Sequence, residues 1–255
     1  MKTKYPMEAF ALAMVVFSFN MREAFLTGIL LLLITVFGLV IDQVVGRQLP
    51  SWSRRISMTI LILAITYSLF QVVIVRVLQE NPDYRTVFLQ LVAGAFIAWH
   101  VLTCKEADYN NLLFEGSFAY GALILIGLLR EFLSYGTIFE YKIADYAAFT
   151  PGFQNAIVGF MLSAAAIAII NRAFVYEEAG VESLWVILPA MIVYQPFSLD
   201  LPVKSLGILI SIVVAVLLFL SVRKYLTFSN ISREWRRLPI DLLSVGMIYL
   251  ILMVF

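Results

Sequence analysis

Long apolar stretches separated by short polar connections run through the whole chain of 255 residues. A helix that crosses a membrane needs about 20 mostly apolar residues. Nine stretches reach or approach that length, at residues 6–19, 24–45, 57–79, 86–103, 114–134, 153–171, 183–198, 203–222 and 238–255. The pattern predicts an all-α, polytopic membrane helix bundle with nine transmembrane helices.

The first, fourth and seventh of these segments are short or interrupted. Asn20 and Arg22 close the first, Gly94 lies inside the fourth, and Pro189 and Pro196 lie in the seventh. Short or broken hydrophobic segments at corresponding places are typical of membrane proteins built from inverted repeats. Because the interruption recurs at every third segment, we expect three units of three helices, each opened by a half-length or broken helix.

The composition also indicates a lipid environment. Hydrophobic residues make up 62% of the chain, charged residues 14%, and the mean hydropathy is +0.93. Soluble domains are about 45–50% apolar and about 25% charged. The formal net charge of +1 provides no basic surface for nucleic acid. Membrane lipid is therefore the expected surrounding, and the short connections leave no room for a soluble domain.

The positive charges are divided unequally between the two sides of the predicted bundle. With nine spans, two thirds of the 18 Lys and Arg residues fall on the side of the N-terminus. Cytoplasmic loops of membrane proteins carry an excess of these residues. We therefore expect a cytoplasmic N-terminus and a C-terminus outside. The opening residues 1–4 are interpreted as the start of the first segment rather than of a cleaved signal.

One motif stands at the end of the fifth segment. Residues 127–139 read Gly-Leu-Leu-Arg-Glu-Phe-Leu-Ser-Tyr-Gly-Thr-Ile-Phe, which places Arg130 and Glu131 ahead of Gly136 and Thr137. This motif resembles the paired membrane subunits of the Rnf and Nqr respiratory complexes, the latter being the sodium-pumping NADH:quinone reductase. We expect the charged pair to be a structural cap or an interfacial ion pair, with a catalytic role as the alternative.

The resemblance implies two domains. Residues 1–172, in which 22–28 look like the start of the family's second helix, resemble one complete six-helix subunit of the Nqr D or Rnf E type. Residues 183–255 resemble the second half of the partner-type subunit, because 185–189 and 233–240 are similar to its fourth helix and to the basic loop before its last helix. The resemblance implies an inner-membrane subunit of an ion-translocating electron-transport complex, with other membrane subunits as partners.

The cysteines of that family are missing here. Two such subunits each give two cysteines to a two-iron two-sulfur cluster, and the matching positions fall near Leu12, at His100 and near Gln195. The single cysteine, Cys104, lies one helical turn after His100. We therefore expect no iron–sulfur cluster from this chain alone and assign no cofactor or metal.

Other ionisable residues in the apolar segments have both a functional and a structural interpretation. His100 and Cys104 lie four residues apart on one helical face and could present two ligands to a cofactor. Alternatively, His100 is a neutral interior residue with a hydrogen-bond partner. Asp42 and Glu115 are candidates for an ion path, since ionisable groups within a membrane are functional more often than not; the alternative is a place at the interface.

Three functions remain open. The first is a membrane subunit related to the Rnf and Nqr complexes, without a complete iron–sulfur site of its own. The second is a cofactor-free transporter or channel that reuses the broken-helix fold, and the third is an assembly scaffold. No Ser-His-Asp constellation, phosphate-binding glycine loop or pair of carboxylates in a helical frame appears in the sequence. An independent enzyme is therefore the least expected function, and at most the chain is a non-catalytic subunit of a redox-driven ion pump.

Overall fold

The computed structural model describes residues 5–79, 83–104, 108–144, 151–174, 183–194, 204–225 and 238–254. This part of the chain is almost entirely helical, which confirms the predicted all-α bundle. The helices are α1 (Met7–Val16), α2 (Met21–Val44), α3 (Ser51–Val73), α4 (Tyr84–Thr103), α5 (Tyr109–Tyr135), α6 (Ala156–Ala173), α7 (Ser183–Tyr194), α8 (Lys204–Tyr225) and α9 (Ile240–Val254). A wider π turn at Ile74–Leu78 continues α3, and a short hairpin of β1 (Thr137–Ile138) and β2 (Tyr141–Lys142) follows α5.

Five helices of the described part are long and apolar enough to cross a membrane. They are α2, α3 with its π turn, α4, α5 and α6. The apolar stretches of α1, α7, α8 and α9 in the described residues are shorter. A helix of 10 residues such as α1 is about 15 Å long, which is half the thickness of the hydrocarbon core. The structure therefore supports a membrane bundle with five spans rather than the nine predicted.

The predicted alternation of short segments is found at two of its three places. Helix α1 has 10 residues, and α7 has 12 with Pro189 inside it, whereas α4 is a continuous helix of 20 residues. Gly94 does not break α4, because it serves packing instead: a Cβ there would lie 2.7 Å from the Thr66 hydroxyl of α3. The regular three-unit repeat therefore fails at α4. Pro196 lies outside the described residues.

Side-chain caps explain where several helices begin. Asn20 accepts a hydrogen bond from the backbone N–H of Glu23 at the start of α2, and Asn155 does the same for Ile157 at the start of α6. Such caps satisfy N–H groups that have no partner within the helix. Gly136 ends α5 in the left-handed conformation, with φ of 67°, which glycine adopts without steric cost.

Helix α1 lies at the centre of the bundle. It contacts α2, α4, α5, α6 and α7, and all of its residues except Glu8 are buried. A helix that is apolar around its whole circumference is typical of such a position. The last three helices are joined to the first six, because α7 packs against α1 and α4 and α9 packs against α6.

Candidate functional site

Arg130 fixes the C-terminal end of α1 inside the bundle. Its side chain is fully buried. The guanidinium donates hydrogen bonds to the Val15 carbonyl (2.9 Å), to the Ser18 hydroxyl (2.8 Å) and to the three carbonyls of residues 153–155 (3.1–3.3 Å). The ring of Phe19 lies 4.3 Å from the guanidinium carbon. All five N–H donors of arginine are used, so Arg130 joins α5 to the end of α1 and the start of α6.

Glu131 fixes a different set of backbone groups. Its carboxylate accepts the N–H of Met21, the first residue of α2, at 2.7 Å, and the N–H of Glu140 in the hairpin at 2.8 Å. Phe139 and Glu140 have φ of 51° and 67°, a conformation that residues other than glycine rarely adopt. The bond to Glu131 stabilises this turn. We call Arg130, Glu131 and the groups they bind the Arg130 junction.

The motif residues Gly136 and Thr137 complete this arrangement. The N–H of Gly136 donates to the Phe132 carbonyl at 2.9 Å, and the carbonyl of Gly136 accepts the N–H of Ile143 at 2.9 Å. Thr137 pairs with Lys142 in the hairpin. The four family-motif residues thus organise backbone at one end of the bundle, which fits the structural-cap interpretation of the charged pair.

His100 and Cys104 lie together at the end of α4. The Cys104 sulfur is 3.6 Å from Nε2 of His100, and His100 is buried. That distance fits a weak hydrogen bond, as expected for an interior histidine with a partner. Among the described residues, no group of three or more His, Cys, Asp or Glu side chains is placed to hold a metal ion. A ligand role for the pair stays a prediction.

The donor set does not fit an iron–sulfur cluster. Leu12, at one position that matches a family cysteine, is a fully buried apolar residue of α1, and His100 occupies another. Gln195 lies outside the described residues. With one cysteine, this chain supplies at most one of the four thiolates that usually hold such a cluster.

The two carboxylates proposed for an ion path lie towards the end of the bundle opposite the Arg130 junction. Asp42 is bound by Arg54 through two hydrogen bonds of 2.7 and 2.5 Å, which join the end of α2 to the start of α3. Glu115 is buried in α5 beside Gly116. An ion-path role for either residue stays a prediction, and Asp42 has a clear structural function.

A polar cavity of about 130 Å³ lies between the start of α2, the end of α3 and the start of α4. Its polar lining consists of Glu23, Thr27, Asp83, Thr86 and Gln90, and apolar side chains form the rest. None of the lining residues is basic. Such a set of oxygen atoms suits a cation rather than an anion.

Gln90 distinguishes this cavity from an ordinary packing gap. Its side chain is 2% exposed, and its Oε1 atom has no hydrogen-bond partner among the described residues. Gln90 is absent from the candidates predicted above, although a glutamine inside an apolar segment is a visible signal. Glu23 and Asp83 are absent too, because only the packing of three helices brings them to one cavity.

Comparisons of the sequence and structure with protein-family models, with curated proteins and with solved structures found no match. The likeness to the Rnf and Nqr subunits therefore rests on the motif residues alone.

Proposed function

We propose that the chain is an integral membrane subunit that takes part in ion translocation, related to the Rnf and Nqr membrane subunits and without a complete iron–sulfur site of its own. The observation that carries the proposal is the half-length helix α1. It is buried on all sides and about half as long as the membrane core is thick. Helices that stop inside a bundle place their charged ends where ions pass, as in many transporters.

The N-terminal end of α1 supports this interpretation. Tyr5, just before α1, lies close to Gly116: a Cβ on that glycine would be 4.0 Å from the Tyr5 Cβ. Gly116 is seven residues into α5, about 10 Å from the start of that helix. The positive end of the α1 dipole therefore lies at depth near the buried Glu115. A helix end and a carboxylate at that depth are the parts that an ion path needs.

The Arg130 junction supports the relation to the respiratory subunits. Each residue of the motif bonds to backbone groups, and Arg130 among them holds the end of the half-length helix α1. The proposal includes an inner-membrane location and a cytoplasmic N-terminus. Other membrane subunits would supply the redox groups.

A transporter or channel that works without redox partners is the second candidate. The polar cavity favours it, because a cavity lined by oxygen atoms beside a helix start can hold an ion without any cofactor. Assembly scaffolding is the third candidate, and no contact of the described residues favours it.

Gentle capture of the tagged chain from its native membrane, followed by metal analysis and a visible spectrum, tests the first candidate. We expect membrane subunits carrying flavin or iron to be captured with it, and ion flux in liposomes from the captured complex. Flux by the pure chain alone would favour the second candidate. Capture of partners without redox groups, together with no flux from either the captured complex or the pure chain, would leave assembly scaffolding as the remaining candidate.

A matched pair of variants makes the flux assay specific. Glu115→Gln removes the buried charge beside α1, and we expect it to abolish flux. Glu140→Gln changes a carboxylate that is 65% exposed in the hairpin, and we expect flux to persist. Equal flux in both variants would contradict the role of α1 and Glu115.

A further inference from the structure

We propose that the polar cavity is a binding site for a small monovalent cation, held by oxygen atoms of Glu23, Thr27 and Gln90 and admitted past Asp83. The site would serve the ion translocation proposed above, and to that extent the inference rests on it. The binding itself is a property of this chain and can be measured without partners or a membrane.

The unpartnered oxygen of Gln90 is the first argument. A buried amide oxygen without a hydrogen bond destabilises the folded protein, and buried polar groups in folded proteins nearly always have a partner. Gln90 lines the cavity and its Oε1 has no partner in the described protein. An occupant of the cavity that accepts electron density from oxygen would remove this cost.

The charge of the lining is the second argument. Glu23 and Asp83 both line the cavity, and no lysine or arginine does. The nearby Arg22 is turned away, because its guanidinium donates to the Val77 carbonyl at 2.7 Å and lies 3.8 Å from Glu140. The cavity therefore presents negative charge and neutral oxygen atoms together, which is the donor chemistry of hard cations.

The oxygen donors of the cavity indicate a monovalent ion. Thr27 and Gln90 are each about 10 Å from the start of their helices, and both are buried. Asp83 is exposed, so one acid, Glu23, stands close to the inner donors. Divalent cations of this class are usually bound by several carboxylates or keep several waters, whereas one carboxylate with neutral oxygens matches a single positive charge.

The π turn of α3 forms part of the same wall. Ile74 and Leu78, its first and last residues, line the cavity. Single π turns within α helices are found frequently at functional sites. Gln79, the next residue, has φ of 57°. The irregular part of α3 in the described residues therefore lies in the wall of the cavity that Gln90 also lines.

Equilibrium binding of radioactive sodium to the purified full chain in detergent tests the site. We expect saturable binding that lithium or potassium displaces and magnesium does not. Gln90→Leu and Thr27→Val keep the side-chain volume and should each weaken binding about tenfold, the equivalent of one good oxygen contact. Glu23→Gln should abolish it.

Matched controls separate the site from general effects of the substitutions. Gln71→Leu removes an amide of α3 outside the cavity lining, from a half-buried side chain whose amide nitrogen is buried and has no partner in the described protein. Thr35→Val removes a buried hydroxyl two turns after Thr27 on α2, where it donates to the Leu31 carbonyl. Both controls should bind sodium as the unchanged protein does.

Absence of saturable binding in the unchanged protein, or equal losses in the site and control variants, would overturn the inference. Displacement by magnesium at equal concentration would overturn the monovalent assignment. Sodium binding that depends on Gln90, without flux in any liposome preparation, would leave the site standing and remove the transport function. Flux by a preparation whose chain shows no saturable sodium binding would do the reverse.

Discussion

The Arg130 junction and the polar cavity both lie at the start of α2, and both place polar groups in an apolar bundle. They differ in how completely those groups are bonded. Arg130 uses all five donors, and Glu131 accepts two backbone N–H groups. In the cavity, Gln90 keeps an oxygen with no partner in the described protein. A saturated polar cluster holds a fold together, whereas an unsaturated one is suited to receive something from outside.

The largest effect is expected from Arg130→Met. The substitution leaves buried carbonyls and the Ser18 hydroxyl without their donor, so we expect a loss of stability of about 3 kcal/mol or more. Thermal unfolding in detergent, followed by tryptophan fluorescence, measures it. The control is Arg22→Met, whose side chain is 38% exposed and whose loss should matter little. Equal melting temperatures for the two variants would show that the Arg130 junction stabilises the protein no more than the exposed Arg22 side chain does.

A middle-sized effect is expected from Gly159→Ala on α6. A Cβ there would lie 2.7 Å from the Val15 carbonyl and 3.1 Å from Nη1 of Arg130, so α6 must move away from α1. Overpacking of this kind costs about 1–3 kcal/mol. The control Gly121→Ala meets no atom within 4 Å and should be neutral or slightly stabilising, since alanine favours helix. Two equally stable variants would contradict the close approach of α1 and α6.

The smallest effect is expected from Gln90→Leu measured without sodium. Because the substitution removes an unpartnered oxygen, stability should stay the same or rise by at most about 1 kcal/mol. Added sodium should raise the melting temperature of the unchanged protein more than that of the variant at the same concentration, because the variant binds sodium about tenfold more weakly. A clear loss of stability without sodium would mean that the Gln90 oxygen already has a partner in the protein, and the contrast with Arg130 would disappear.

Much of the fold could be predicted from hydropathy, since each of the nine apolar segments contains a helix in the described residues. The number of spans could not be predicted from hydropathy, because the apolar length of a segment does not show how much of it is helical. Segment 6–19 yields only Met7–Val16, since Arg130 binds the Val15 carbonyl and ends the helix. Gly94 resembles a break in the sequence, because nothing there shows that Thr66 lies opposite it.

The site was harder to predict than the fold. A charged pair is visible in the sequence, yet Arg130 and Glu131 bind backbone groups up to 115 residues away. Nothing in the sequence identifies those groups as their partners. His100 and Cys104 are expected to share a face because four residues make about one turn, and they do. The importance of Gln90 lies in a missing contact, which only the packed structure reveals.

The π turn of α3 also has a consequence for the register of that helix. A turn bonded from each residue to the fifth after it holds one residue more than an α turn, so Val77 and Leu78 face about 100° away from where regular α spacing would put them. If residues 74–78 kept regular α bonding instead, the Val77 carbonyl would turn away from Arg22, and Leu78 would turn away from the cavity wall. The extra residue of the turn therefore brings the end of α3 to face both.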